Sequence, residues 1–189
     1  MPTPLRLASK LARLAPLPRA GGAGGGLLAV LSAAALASCA PTSPPQEIAQ
    51  PQVDFLRVDK SDRTLVLYDH GRAVRRYTGL QFGDAPLGHK HFEGDERTPE
   101  GRYTIDARNP QSAYHLSLRV SYPNEADRAY AAARGRNPGG DIYLHGQPNA
   151  LPLGRMLGDW TDGCIALSNA EIEEVYALVP EGTPIEIVP

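Results

Sequence analysis

Short apolar segments separated by turn residues recur from residue 53 to the end of the chain, and this pattern constrains the fold more than any other feature. Residues 53–58 and 64–68 are strand-like and flank a polar turn at Lys60-Ser61-Asp62. Strand-like patterns recur at residues 73–77, 101–105, 114–120, 141–144 and 184–188. Residues 161–167 form a turn that holds Cys164, followed by a short apolar strand. Because 19 Gly and 18 Pro residues supply many turns, the sequence favours short strands over long helices.

Two segments interrupt the strands with helical signals. Residues 124–134 begin at a potential cap, Asn124, and stop before Gly135. A capping box at Ser168 and Glu171 precedes apolar residues at helical spacing up to residue 179. We therefore predict one mainly β domain over residues 53–189, with two short α-helices and a single core.

The first 38 residues have the composition of an export signal. They carry four of the 19 Lys and Arg residues and no acidic residue, and they contain an apolar run at residues 27–37. That run is too short to span a membrane, which takes about 20 apolar residues. It ends in Leu36-Ala37-Ser38-Cys39, which resembles the bacterial lipobox and implies lipidation of Cys39. Ordinary cleavage after Ala37, with a free Cys39 thiol, is the alternative.

Residues 39–52 then predict a proline-rich tether between the lipid and the domain. Ala40 follows the lipidated cysteine, and no Asp stands there to retain the protein at the inner membrane. We expect a periplasmic protein that is held at the outer membrane only by its lipid. The rest of the chain is mildly acidic and has no basic stripe, which argues against a nucleic-acid partner.

Two segments carry residues suited to chemistry, Ile142-Tyr143-Leu144-His145-Gly146 and Thr161-Asp162-Gly163-Cys164. The turn-forming residues before Cys164 suit an exposed bend rather than core packing. His145 ends an apolar strand, where side chains reach the rim of a sheet. A thiol with an ordinary pKa of about 8.5 needs a neighbouring base, so Cys164 and His145 are a candidate nucleophile and base.

These two segments, with His145 and Cys164 separated by 19 residues, resemble the paired signature of L,D-transpeptidases of the YkuD type. The resemblance covers residues 53–189 and includes Thr98-Pro99-Glu100-Gly101 and the closing strand that starts at Gly182. It implies a β-roll or sandwich of the L,D-transpeptidase type and a cysteine acyl-enzyme without metal or cofactor.

The resemblance also assigns roles by position. Cys164 is the nucleophile, His145 is the proton donor and acceptor, and the Gly146 carbonyl orients the imidazole. The N–H groups of Asp162, Gly163 and Cys164 form the oxyanion hole. The residues expected to contact substrate are Thr161, Tyr143 and Arg97.

One departure concerns the residue two places after the nucleophile. Many members have Arg there, and this chain has Ala166, so Arg97 or Arg119 is a candidate replacement. The Trp-Thr-x-Gly-Cys-Ile-Ala form resembles a subgroup that includes an amidase releasing lipoprotein from peptidoglycan. The histidines of the long loop at 79–100 match no strong zinc spacing, and we expect a solvated, substrate-facing loop there.

The resulting hypothesis is L,D-transpeptidase action on peptidoglycan stem tetrapeptides, forming 3→3 crosslinks or attaching protein to the wall. A hydrolase of the same fold, either an amidase or an L,D-carboxypeptidase, is the alternative, with a wall-linked lipoprotein as a candidate partner. A wall-binding lipoprotein without catalysis is the third reading.

Overall fold

The computed structural model describes residues 51–151 and 153–189. Its elements in chain order are β1 (Phe55–Asp59), β2 (Thr64–Asp69), β3 (Arg72–Thr78), β4 (Gly101–Ser112), β5 (His115–Val120), α1 (Glu125–Ala132), β6 (Tyr143–His145), β7 (Ile165–Ala166), α2 (Asn169–Leu178) and β8 (Pro184–Val188). The predicted mainly β domain with two short helices is confirmed. No described helix is long and apolar enough to cross a membrane. The predicted signal peptide, the lipidation site Cys39 and residues 40–50 of the predicted tether lie outside the described residues.

The strands pair in the order β3-β2-β1-β8-β4-β5-β6-β7. The pairs β1–β8 and β6–β7 are parallel, and the other neighbours are antiparallel. Strand β4 joins the two halves, because residues 101–104 pair with β8 and residues 105–112 pair with β5. Register shifts within β4 accompany this change of partner, as expected where a bulge bends a strand.

The prediction for β4 was too short. The strand is predicted to end at residue 105, whereas it continues to Ser112. Pro110 is tolerated because it lies at the irregularity between Asn109 and Ser112, where a missing N–H costs no regular ladder bond.

Both predicted helix caps are present. Asn124 accepts a hydrogen bond from the Asp127 N–H, and Ser168 accepts one from the Glu171 N–H, each within a complete capping box. The first helix ends at Ala132, two residues before the predicted end. These caps satisfy N–H groups that would otherwise lack partners in the first turn of each helix.

One face of the β5–β6–β7 region is core. Leu118, Leu144 and Ile165 stand side by side on these strands and are fully buried. Ile172 and Val175 of α2 belong to the same buried cluster, so the second helix covers this face. Because side chains alternate along a strand, the intervening residues project from the opposite face.

Candidate active site

That opposite face brings Cys164 and His145 together. In the parallel pairing of β6 with β7, Leu144 faces Ile165 and His145 faces Ala166. Cys164 is two residues before Ala166, so its side chain and that of His145 leave the sheet on the same side. Both line a cavity of about 710 Å³.

The imidazole of His145 is held in one tautomer. Its Nδ1 lies 2.7 Å from the Gly146 carbonyl oxygen, which can only accept, so Nδ1 carries the hydrogen and Nε2 is left as the acceptor. His145 is 3% exposed, and this burial lowers the pKa of its imidazole to about 4, against the opposing effect of the Gly146 carbonyl. His145 is therefore a neutral base at neutral pH.

Gly146 is needed for its size as well as its carbonyl. A Cβ at this position would come within 2.6 Å of Asn169 Oδ1 and 3.0 Å of Ile172. The start of α2 thus packs directly against the backbone that orients His145.

Two aromatic residues enclose the imidazole. The ring of Tyr114 lies 4.7 Å from that of His145, and the ring of Trp160 lies 5.6 Å from it on an edge-to-face approach. Both line the same cavity as Cys164. Their packing excludes water from the base, which is why its charged form is disfavoured. Tyr114 carries no sequence signal for this role, whereas Trp160 lies inside the motif.

The Cys164 thiol is neutral for the same physical reason. Its Sγ lies 3.4 Å from the Asp141 carbonyl oxygen, to which the S–H donates. Burial raises the pKa of Cys164 to about 11, and the Tyr143 backbone N–H opposes that rise only in part. A resting thiolate of Cys164 is therefore scarce at neutral pH.

The turn that carries Cys164 is closed by Thr161. The Thr161 hydroxyl accepts from the Gly163 N–H at 3.2 Å and donates to the Cys164 carbonyl at 2.8 Å. Thr161 also lines the cavity, so its contact with substrate stays a prediction beside this role in the turn. The Gly163 N–H is likewise engaged, which differs from the expected three-donor oxyanion hole. The N–H groups of Asp162 and Cys164 donate to no acceptor among the described residues.

The predicted Thr98-Pro99 segment packs against the turn that carries Cys164. The Thr98 hydroxyl donates to the Gly163 carbonyl at 2.9 Å in a fully buried contact. The preceding Arg97 turns its carbonyl toward Gly163, and its guanidinium lies against Gly88. Arg97 is absent from the described lining of the cavity, and its expected contact with substrate stays a prediction. What the structure shows is its backbone carbonyl packed against the turn of Cys164. Tyr143 does line the cavity.

The long loop at 79–100 is more buried than the expected solvated loop. His89 accepts from the Glu100 N–H through Nδ1 at 2.9 Å, and its Nε2 lies 3.0 Å from Asp127 Oδ1, which ties the loop to α1. Lys90 is 3% exposed and donates to Asp95 at 2.9 Å. The loop reaches the cavity through Lys90, Glu93, Gly94 and Glu96. Within residues 51–151 and 153–189, no group of three or more His, Cys, Asp or Glu residues is placed to hold a metal ion.

A buried amide pair, which the sequence did not reveal, fixes the segment between the two motifs. Gln147 is fully buried, donates to the Leu167 carbonyl at 2.7 Å and accepts from the Met156 N–H at 2.8 Å. Its amide also donates to Gln81 Oε1 at 3.2 Å, and Gln81 in turn donates to the Met156 carbonyl at 2.7 Å. These bonds connect the His145 strand to the approach of the Cys164 turn.

Replacing Gln147 with Leu is expected to destabilise the domain by about 2–4 kcal/mol, because buried partners would lose their hydrogen bonds. Chemical denaturation of wild type and variant measures the change. Gln111→Leu, at an exposed position, is the matched control and should shift the free energy of unfolding little. Equal effects at the two positions would contradict the role of the buried pair.

Comparisons with known proteins agree with this architecture. The family model of the L,D-transpeptidase catalytic domain, YkuD, matches residues 54–187. An Escherichia coli K12 protein provisionally named L,D-transpeptidase YafK is 26% identical over 131 residues, which is 66% of this chain and 46% of that protein. A Bacillus licheniformis protein provisionally named L,D-transpeptidase YkuD is 26% identical over 139 residues, covering 71% and 65% of the two chains.

Solved structures give the same result. Pgp2 of Campylobacter jejuni, described as a helical cell shape determining protein, superposes with a TM-score of 0.58 at 28% identity, over 71% of this chain and 47% of that chain. Bd1075 of Bdellovibrio bacteriovorus superposes with a TM-score of 0.52 at 27% identity, over 74% and 48%. The chain spans about half the length of the YafK relative and of these two structures. Since the family model covers most of the described domain, the chain belongs to the L,D-transpeptidase catalytic domain family of the YkuD type.

Proposed function

We propose that this domain transfers acyl groups of peptidoglycan stem tetrapeptides through a thioester on Cys164. The observation that carries the proposal is that Cys164 lines the same cavity as a neutral His145, whose Nε2 is left as an acceptor. Family membership supplies the substrate class, because L,D-transpeptidases act on stem peptides.

In the first half-reaction, the Cys164 sulfur attacks the carbonyl carbon of the third residue, a diamino acid. The thiol proton passes to His145 Nε2 as the carbon–sulfur bond forms. The N–H groups of Asp162 and Cys164 stabilise the negative charge on the carbonyl oxygen. The intermediate then collapses, and the terminal D-alanine leaves with the proton from His145 on its amine.

In the second half-reaction, an amine attacks the thioester and gives its proton to His145, which returns it to the departing sulfur. The product is a 3→3 crosslink or a protein attached to the wall. Water in place of the amine gives hydrolysis, either as an L,D-carboxypeptidase or as an amidase that releases wall-bound lipoprotein. Ala166 favours this second candidate, because the face beside His145 lacks the cation that many transferases have.

The test is incubation of the full chain with purified tetrapeptide muropeptides, followed by mass spectrometry. Loss of D-alanine with dimers means transfer, and loss of D-alanine with free-carboxylate monomers means hydrolysis. Cys164→Ala should abolish both, whereas Arg102→Ala on the exposed side of β4 should not. Products that persist without Cys164 would refute the mechanism.

Covalent labelling separates enzyme from binding module. A carbapenem should acylate Cys164 of the wild-type chain, giving a mass increase that Cys164→Ala lacks. A wall-binding lipoprotein without catalysis would give no adduct.

The cellular setting is part of the proposal. The predicted export signal, lipidation of Cys39 and tether support a periplasmic domain at the outer membrane, with a wall-linked lipoprotein as candidate partner. Pgp2, the relative described as determining helical cell shape, suggests that this chain also influences cell shape. The lipid anchor is tested by treating cells with globomycin, which blocks cleavage before a lipidated cysteine. Accumulation of the uncleaved precursor is expected, and unchanged processing in the presence of globomycin would contradict the anchor.

A further inference from the structure

A second cavity, of about 600 Å³, adjoins the catalytic one. The two share four lining residues, Glu93, Gly139, Gly140 and Asp141. The backbone carbonyl of Asp141 also accepts a hydrogen bond from the Cys164 thiol, with 3.4 Å between oxygen and sulfur. A substrate group that extends from the nucleophile past Asp141 therefore enters this second cavity.

The sheet register places a cation there. Arg119 of β5 faces Tyr143 of β6. Cys164 directly precedes Ile165, which faces Leu144, the neighbour of Tyr143. Neighbouring strands are about 4.8 Å apart, so the Arg119 and Cys164 backbones are separated by about 10 Å on the same face. Arg119 thus offers a guanidinium on the Tyr143 side of the nucleophile, away from the position that Ala166 occupies.

The charges in the second cavity are mixed. Arg119 is held by both oxygens of Asp106, at 2.8 and 3.3 Å. Arg128 also lines the cavity, and its side chain makes no hydrogen bond or salt bridge with the described residues. On the shared wall, Asp141 and Glu93 supply carboxylates. The two arginines line only the second cavity, and the two carboxylates line the wall that both cavities share. This arrangement of charges suits a ligand that carries a carboxylate and an ammonium group.

The Arg119–Asp106 pair is not explained by stability. The two side chains are 43% and 36% exposed, and ion pairs so exposed contribute little to folding. The two hydrogen bonds to Asp106 instead fix the orientation of the Arg119 guanidinium, and its remaining N–H donors are left for a ligand. An Arg guanidinium has five N–H donors, and Asp106 occupies two of its nitrogens.

We infer that the second cavity is a subsite for a zwitterionic α-amino acid group, with its carboxylate at Arg119 and Arg128 and its ammonium at Asp141 and Glu93. The inference rests on the proposed function: a diaminodicarboxylic acid at the third stem position ends its side chain in such a group. When its carbonyl is bonded to Cys164, the side chain passes Asp141 and delivers that group to the cavity. Lysine at the third position brings the ammonium but no carboxylate.

Three tetrapeptides test the subsite with the full chain. They carry meso-diaminopimelate, the same residue with its distal carboxylate converted to carboxamide, or lysine at position three. The wild type should favour the free carboxylate over the nearly isosteric carboxamide by at least about tenfold in kcat/KM, as for a charge-assisted hydrogen bond. In Arg119→Gln/Arg128→Gln the preference should fall toward one, whereas Arg102→Gln, at an exposed arginine outside both cavities, should retain it.

The outcomes separate this inference from the proposed function. Equal rates for carboxylate and carboxamide in the wild type, or an unchanged preference in the double variant, would overturn the subsite. Binding of the same peptides to Cys164→Ala, followed by NMR titration, measures the preference independently of turnover. A chain that binds the free carboxylate selectively but releases no D-alanine would retain the subsite and refute the proposed reaction.

Discussion

His145→Gln is expected to lower the rate of D-alanine release at pH 7 by about three to four orders of magnitude, within the range of a lost general base. The reason is the thiol, because burial raises the pKa of Cys164 to about 11. At pH 7 that leaves about one thiolate in ten thousand molecules without a base. Glutamine keeps much of the side-chain volume and can donate to the Gly146 carbonyl, but it cannot accept and return the proton.

The pH profile makes this prediction specific. In His145→Gln the rate should rise about tenfold per pH unit between pH 7 and 10, as the thiol ionises. The wild type should change little over that range and should lose activity only as pH falls toward about 4, where His145 becomes protonated. Release of D-alanine measures both, and His70→Gln, on an exposed hairpin, is the control. A variant with the wild-type rate at pH 7 would contradict the assignment of the base.

Gly163→Ala is expected to reduce acylation of Cys164 at least a hundredfold and to destabilise the domain by about 3 kcal/mol or more. Gly163 has φ +118, which alanine rarely adopts, and a Cβ there would lie 2.4 Å from the Arg97 carbonyl oxygen. The turn would have to move away from Arg97. That movement would weaken the Thr98 hydrogen bond to the Gly163 carbonyl and displace the sulfur from His145.

Gly135→Ala is the control that separates the effect of the clash with Arg97 from the effect of a positive φ at alanine. Gly135 also has a positive φ, +64, but a Cβ there meets no atom within 4 Å. This control should cost about 1 kcal/mol and leave carbapenem acylation unchanged. Chemical denaturation measures the free energy of unfolding, and intact-protein mass spectrometry measures the carbapenem adduct. Comparable acylation rates for the Gly163 and Gly135 variants would show that the nucleophile turn is not held by Arg97.

Much of the fold was predictable because its signals are local. Both helix caps, the two short helices and most strands follow from side-chain pattern within a few residues. Strand β4 was the main error, since the pairing of its second half with β5 outweighs the turn-like Asn109-Pro110. Partner strands distant in sequence supply that stabilisation, and no local window contains them.

The meeting of Cys164 and His145 in one cavity was predictable, and the contacts that support them were less so. The paired motifs singled out Cys164 and His145, and Thr98 was anticipated within its segment. The fully buried Gln147 and the ring of Tyr114 carried no such signal, because an amide or a tyrosine is ordinary at either position. The packing of the Arg97 carbonyl against Gly163 carried no signal either, because a backbone contact leaves no trace in the residue type.

The sequence by itself determined which atoms are available for chemistry: one thiol after a turn-forming glycine, and one imidazole at the end of an apolar strand. Only the tertiary structure decided their state. The parallel register of β6 and β7 puts both on one face, and burial beneath Tyr114 and Trp160 keeps the imidazole neutral. Register and desolvation depend on strands and loops far apart along the chain, so neither is encoded in the motif that carries the reactive atoms.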